Sequence, residues 1–278
     1  MGTSTSSRGP AGQVPFVPPW VPSVPTAGSA APANVAPANA SAAAAVPPPP
    51  ASEIAPARRF AGARSRLGSF ARSGDRDTLR AGLGHYVHTG LGGSARGSAR
   101  MAGTARTAGA LYGVLDAFRS GQAPPNVALD PAALAGQTAR AILDAIADAI
   151  RPIDGTQDAE ASHQAMNRAL SDLLDDFPSA DLLTLQLAEI ELMIELYVAH
   201  ELCMRIELDI GRSIQSRAPD PTIAVRRLED MRQYVVASVR AAFAARRARG
   251  ERLDRARAAA IVADVLRDTL SVFEESAA

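Results

Sequence analysis

Lysine is absent from this sequence: all 29 basic residues are arginine, and 29 acids balance them. Exclusive use of arginine fits GC-rich coding before it fits a need for guanidinium chemistry. Cysteine is nearly absent too. A lone Cys203 excludes an internal disulfide framework and suits a reducing compartment. Its apolar helical surroundings predict a buried, inert thiol rather than a nucleophile. Long uncharged apolar runs are missing as well. The most apolar stretch, 182–214, is crossed by Glu189, Glu191, Glu195, Glu201, Arg205, Glu207 and Asp209, which makes it a poor membrane span. No secretory pattern opens the chain, because prolines break 14–25 repeatedly. A soluble, cytoplasmic protein is expected. Strand-type alternation of useful length is also missing. The expected fold is all-α: a helical bundle behind a long disordered Pro/Ala-rich N-terminal tail.

Three segments differ in character. Residues 1–57 hold thirteen of the twenty prolines, separated by alanine, serine and asparagine. Such a segment buries too little apolar surface to offset its ordering entropy. It nevertheless carries the only tryptophan, within Val14-Pro15-Phe16-Val17-Pro18-Pro19-Trp20-Val21. Apolar anchors spaced by prolines on an unfolded tail suit capture by another protein. A small residue at position two favours removal of Met1, which leaves the flexible α-amine of Gly2. With a pKa near ~8, part of that amine is a neutral nucleophile at neutral pH. Gly2 also satisfies a short myristoylation pattern, which recurs by chance.

Residues 58–120 form a basic, glycine-rich helical section. In 58–75, Arg58, Arg59, Arg64, Arg66 and Arg72 surround a face made of Phe60, Leu67 and Phe70. Further on, a partial helical rhythm is interrupted by many glycines, each costing a helix interior about 1 kcal/mol relative to alanine. Two helices with a break near Gly90-Leu91-Gly92-Gly93 are predicted, and the spacings Gly93/Gly97 and Gly109/Gly113 put small residues on one face. The net charge of 1–120 is +8, from twelve arginines and four acids. That of 121–278 is −8. Either the basic front meets a polyanion or acidic partner, or the two halves complement each other.

Residues 121–278 read as a C-terminal bundle. Asp130-Pro131 and Asp220-Pro221 are N-cap signals with proline in the first turn. The apolar stripes place Leu134–Ile150, Met166–Phe177, Val225–Phe243 and Ile261–Phe273 inward, with Val272 among the last set. A helix from about 179 to 216, apolar around most of its circumference, is predicted to be the longest and to lie at the centre.

No catalytic constellation emerges. His85/His88, His163 and His200 lack the companions of a metal site, and His200-Glu201 near Cys203 fits neither a zinc helix nor a Cys–His pair. Glu191/Glu195 is an acid pair of ordinary helical spacing. The glycine-rich 82–94 stretch meets neither Walker nor Rossmann spacing and has no strand before it. No metal or cofactor is expected, and the protein is expected not to be an enzyme. Ten arginines between Arg58 and Arg106 face only two acids, Asp75 and Asp77, so nucleic-acid binding is electrostatically feasible.

The start Met1-Gly2-Thr3-Ser4-Thr5-Ser6-Ser7, the following Gly9-Pro10, Val17-Pro18-Pro19-Trp20-Val21, and Leu83-Gly84-His85-Tyr86 with Thr89-Gly90-Leu91-Gly92-Gly93-Ser94 together resemble the QatB family, the B component of the Qat anti-phage defence system. The resemblance implies a bacterial protein acting with three others: an ATPase, a synthase similar to deazaguanine (queuosine-precursor) enzymes, and a TatD-like nuclease. It implies no catalytic residue in this component. Synthases of that kind activate a carboxylate with ATP and deliver it to an amine. The expected role is a non-enzymatic adaptor or protein substrate of the synthase-like enzyme, with Gly2 as the modification point. Phe16, Pro18, Pro19 and Trp20 would be the docking residues. The alternative is a nucleic-acid-binding accessory subunit that uses the Arg58–Arg106 segment.

Overall fold

A computed structural model describes Val17 and residues 54–125, 127–152 and 157–277. The tail residues Gly2, Phe16, Pro18, Pro19 and Trp20 lie outside the described residues, and so does the expected disorder of the tail. The described part is helical, as the sequence predicts. Eleven α-helices run in chain order: α1 (Ala61–Ser73), α2 (Arg76–His85), α3 (Ser94–Arg100), α4 (Ala102–Arg119), α5 (Pro131–Leu134), α6 (Ala139–Ile150), α7 (Gln157–Asp176), α8 (Leu187–Ile206), α9 (Arg212–Arg217), α10 (Pro221–Ala248) and α11 (Ala258–Glu275). Two π-helical segments extend them, Tyr86–Leu91 after α2 and Glu207–Gly211 between α8 and α9.

The centre is α8, which packs against α4, α7 and α10. It is enclosed because its apolar residues cover most of its circumference: Ile190, Ile194, Tyr197, Leu202 and Ile206 are all buried. Burying each such side chain contributes roughly 1.5–3 kcal/mol. Two of the polar residues buried on the same helix have charged partners. Glu195 pairs with Arg247, and the His200 imidazole lies 2.7 Å from Asp172. On the other side α11 packs against α2, α3, α4 and α10, and one apolar core runs from Phe60 to Phe273.

Side-chain caps set several of the helix starts. Asp75 accepts from the Thr78 amide at 2.8 Å, Asp220 from Ile223 at 2.8 Å, and Asp130 from Ala132 at 2.9 Å. Each such cap is worth about 1 kcal/mol. The Asp130 helix is short, however. Gly136 turns left-handed (φ 79°) and Thr138 caps a fresh helix, so the expected 130–150 stripe is split in two. The central helix begins later than expected, at a capping box in which the Gln186 amide donates to Glu189 at 2.6 Å. It then continues through the π-segment to Arg217, while the longest regular helix is α10 with 28 residues. Three residues placed inward by periodicity are outside: Phe177, Val225 and Val272 are 40%, 64% and 51% exposed. Phe177 follows the end of its helix. Val225 lies in the second turn of α10, and Val272 near the end of α11 on its outer side.

The glycine-rich section is less regular than two helices. Its break falls at Gly92 and Gly93, both at positive φ (79° and 99°). The small faces expected of it are real contacts. A Cβ at Gly97 would lie 2.9 Å from Leu270, and one at Gly109 would lie 2.9 Å from Ala259 on α11. Gly113 faces open space apart from Arg255 at 3.9 Å.

Candidate functional site

The residues at which the tail joins the helical body are built like an anchor. Ala55, Arg59 and Phe60 are buried, whereas Ile54, Arg58 and the residues between Ala55 and Arg58 are exposed. Arg58 adopts a left-handed backbone (φ 57°), a conformation that costs a non-glycine residue of order 1–2 kcal/mol. That turn rotates Arg59 and Phe60 onto the body. The Phe60 ring stacks on Tyr86 with centroids 5.4 Å apart. It can do so because position 90 is glycine, since a Cβ there would lie 2.5 Å from the ring.

Two guanidiniums close over Phe60. Arg59 lies 4.9 Å from the ring centroid and Arg64 5.9 Å. The Thr89 hydroxyl lies 2.8 Å from the His85 carbonyl, to which it donates, and 3.3 Å from the Arg59 carbonyl. Beneath the ring the two π-segments meet. Tyr86 donates its hydroxyl to the Asp209 carboxylate at 2.9 Å, and Arg64 donates to the Asp209 carbonyl at 3.0 Å. Burial pushes the Tyr86 phenol well up, and the Asp209 charge adds to that. Burial also raises the Asp209 carboxyl, against the pull of Tyr86, Arg100, Arg205 and Arg59. The Arg59 guanidinium is lowered by burial and by Arg100, and its Nε and Nη1 have no hydrogen-bond partner among the described residues.

The 83–94 motif therefore does mechanical work. Its aromatic residue holds the root of the tail, its Gly90 admits Phe60, and its Gly92-Gly93 turn reaches α11. There the Ser94 amide donates to Glu274 at 2.9 Å, and His88 lies 3.3 Å from the same carboxylate. Burial alone would raise the Glu274 carboxyl. The Ser94 and His88 contacts outweigh it and hold the group below its ordinary value.

The five arginines singled out from the sequence do not share one surface. Arg58, Arg66 and Arg72 are exposed, while Arg59 and Arg64 are committed to Phe60 and Asp209. Cys203 is fully buried and its thiol is pushed up by burial. Glu191 and Glu195 are separated in role, because Glu195 is buried against Arg247. His85 stands beside Gly62, and the His163 Nε2 lies 2.6 Å from the Arg151 carbonyl. Among the described residues no group of three or more His, Cys, Asp or Glu side chains is arranged to hold a metal, and no helix is long and apolar enough to cross a membrane.

Sequence reasoning missed one polar pair with access to a cleft. His200 and Asp172 meet at the edge of a cavity of about 550 Å³, and the buried Nδ1 of His200 has no hydrogen-bond partner among the described residues. Nearby Ser171 donates to the Asn167 carbonyl at 3.2 Å rather than to the imidazole. Asp172 on α7 and His200 on α8 are 28 positions apart in the chain, so no local spacing announces the pair.

Comparison with known families decides the kinship. The family model for the Qat anti-phage system associated protein QatB matches residues 92–273. The chain belongs to the QatB family. The QatB match begins at the Gly92 turn and spans α3 to α11, so it rests on the helical body. Of the front motifs that resemble QatB, those in 1–91 lie before it, and Gly92-Gly93-Ser94 open it. No curated protein and no solved structure matches the chain. Membership of the QatB family makes the chain a component of the Qat anti-phage system.

Proposed function

We propose that this chain is a non-enzymatic partner, an adaptor or a protein substrate, of the deazaguanine-synthase-like enzyme of its defence system. In this reading the helical body presents the tail, Phe16, Pro18, Pro19 and Trp20 dock it, and the Gly2 amine is the acceptor. The amine attacks a carboxyl carbon activated by the enzyme, forming an amide and releasing the activating group. The ATPase and the TatD-like nuclease are further partners, and no membrane is involved. The observation that supports the reading is the anchored root. Phe60 clamped between Tyr86, Arg59 and Arg64 fixes where residues before 54 leave the body. A tail held at its base can search a nearby active site at high effective concentration.

Two measurements test it. Trp20→Ala should weaken the complex with the synthase-like enzyme by about tenfold or more, as loss of a buried aromatic anchor does. Intact-mass analysis after co-expression should show added mass on Gly2. An unmodified Gly2 with unchanged Trp20→Ala affinity would refute both halves.

The alternative, a nucleic-acid-binding accessory subunit using Arg58–Arg106, retains Arg58, Arg66 and Arg72 on the surface. A salt-dependent shift with short DNA or RNA, lost when these three are changed to alanine, would favour it.

A further inference from the structure

We propose that the pocket between the end of α1, the start of α2 and the first half of α10 binds a nucleoside phosphate. The pocket has a volume of about 430 Å³, within the range of small-molecule sites. Arg76 and Arg80 enter it from α2, and Arg226 and Arg227 from α10. Asp230 is the single carboxylate in its lining, and Tyr234 forms part of the wall. The whole chain is electrically neutral, so four guanidiniums around one carboxylate are a local excess.

Their partners do not cancel that excess. Arg80 reaches Asp77 at 3.2 Å and Arg227 reaches Asp230 at 3.0 Å. Arg76 and Arg226 are exposed and have no carboxylate partner among the described residues. The Nε of Arg227 is buried and lacks a hydrogen-bond partner among the described residues. Converging guanidiniums repel one another until an anion joins them, and their planar forks match phosphate oxygens in pairs.

Aromatic surface lies beside the charge. Tyr234 is packed against Phe273 at 5.7 Å between ring centroids, and the Arg80 guanidinium lies 5.9 Å from the Tyr234 ring. Arg227 lies 5.8 Å from the Phe70 ring. A phosphate on the guanidiniums with a base against the Tyr234 face uses both features, as bases stack on aromatic side chains elsewhere. The wall is shaped by Gly74, which ends α1 in a left-handed turn (φ 71°). A Cβ at that position would collide with the Arg227 guanidinium, so glycine keeps the arginine where it is.

The test uses the full chain and an ATP carrying a small fluorophore on its ribose, followed by anisotropy. Saturable binding is expected, weakened at least tenfold in Arg76→Ala/Arg226→Ala, with thermal melting confirming that the fold is intact. Arg140→Ala/Arg252→Ala removes the same charge from exposed positions outside the pocket and should change affinity less than twofold. Unlabelled ATP should displace the probe far better than adenosine or inorganic pyrophosphate. Absence of saturable binding overturns the proposal, as does equal weakening by the two double variants. Pyrophosphate competing as well as ATP overturns the nucleoside part, because it would reduce the site to a simple anion patch.

Discussion

Replacing Glu201 by glutamine should stabilise the protein at alkaline pH and do little in acid. Glu201 is 4% exposed on the central helix, and its Oε2 has no hydrogen-bond partner among the described residues. Burial is the main cause that raises its carboxyl to about 7 from 4.5; Asp158 adds to it, and Arg205, Arg151 and the Thr104 hydrogen bond oppose it. A raised carboxyl binds a proton in the folded state that the unfolded chain has already released. Stability is therefore highest below the unfolded value of 4.5 and is lost as pH rises to about 7. The shift amounts to about 3 kcal/mol at full development, of which roughly 2–3 kcal/mol falls between about pH 5 and pH 8. Glutamine keeps the shape and the Thr104 contact without the charge. Urea unfolding at those two pH values should show the variant gaining on the parent by a midpoint difference on the order of 1 M, for an m value of about 2–3 kcal/mol/M. A variant-minus-parent difference that stays flat with pH would refute the reasoning.

Two smaller tests address the anchor and the core. Gly90→Ala gains about 1 kcal/mol of helix propensity but drives a methyl into the Phe60 ring, for a net loss of about 1–2 kcal/mol. Limited proteolysis should then cut near residues 55–60 faster than in the parent, and an unchanged rate would show that the ring is not held there. Cys203 should react with a thiol reagent only after unfolding, since it is fully buried and its thiolate is disfavoured. Rapid labelling of the native protein would contradict that placement.

Much of the fold is legible in the sequence because its signals are local. Asp130 and Asp220 announce helix starts by the chemistry of one turn, and Gly92 and Gly93 mark a break with backbone that other residues resist. The near-continuous apolar surface around Ile194 and Leu202 correctly identifies a central helix. Periodicity fails where geometry depends on neighbours, which is why Phe177, Val225 and Val272 face outward. The polar contacts are hidden for the same reason. Tyr86 and Asp209 are 123 residues apart, and nothing in either local pattern tells of the other. The arginine pocket is built from α2 and α10, far apart in the chain, so counting arginines in 58–106 could not delimit it. That count also overstated the free charge, since Arg59 and Arg64 turn inward onto Phe60.

In the proposed role the helical body holds and offers the tail. Titrating the synthase-like enzyme with the full chain and with residues 26–278, under identical salt, tests this most directly. Removing the Phe16 and Trp20 anchors should lower the affinity by about a hundredfold or more. Affinities equal within twofold would contradict it and assign docking to the helical body instead.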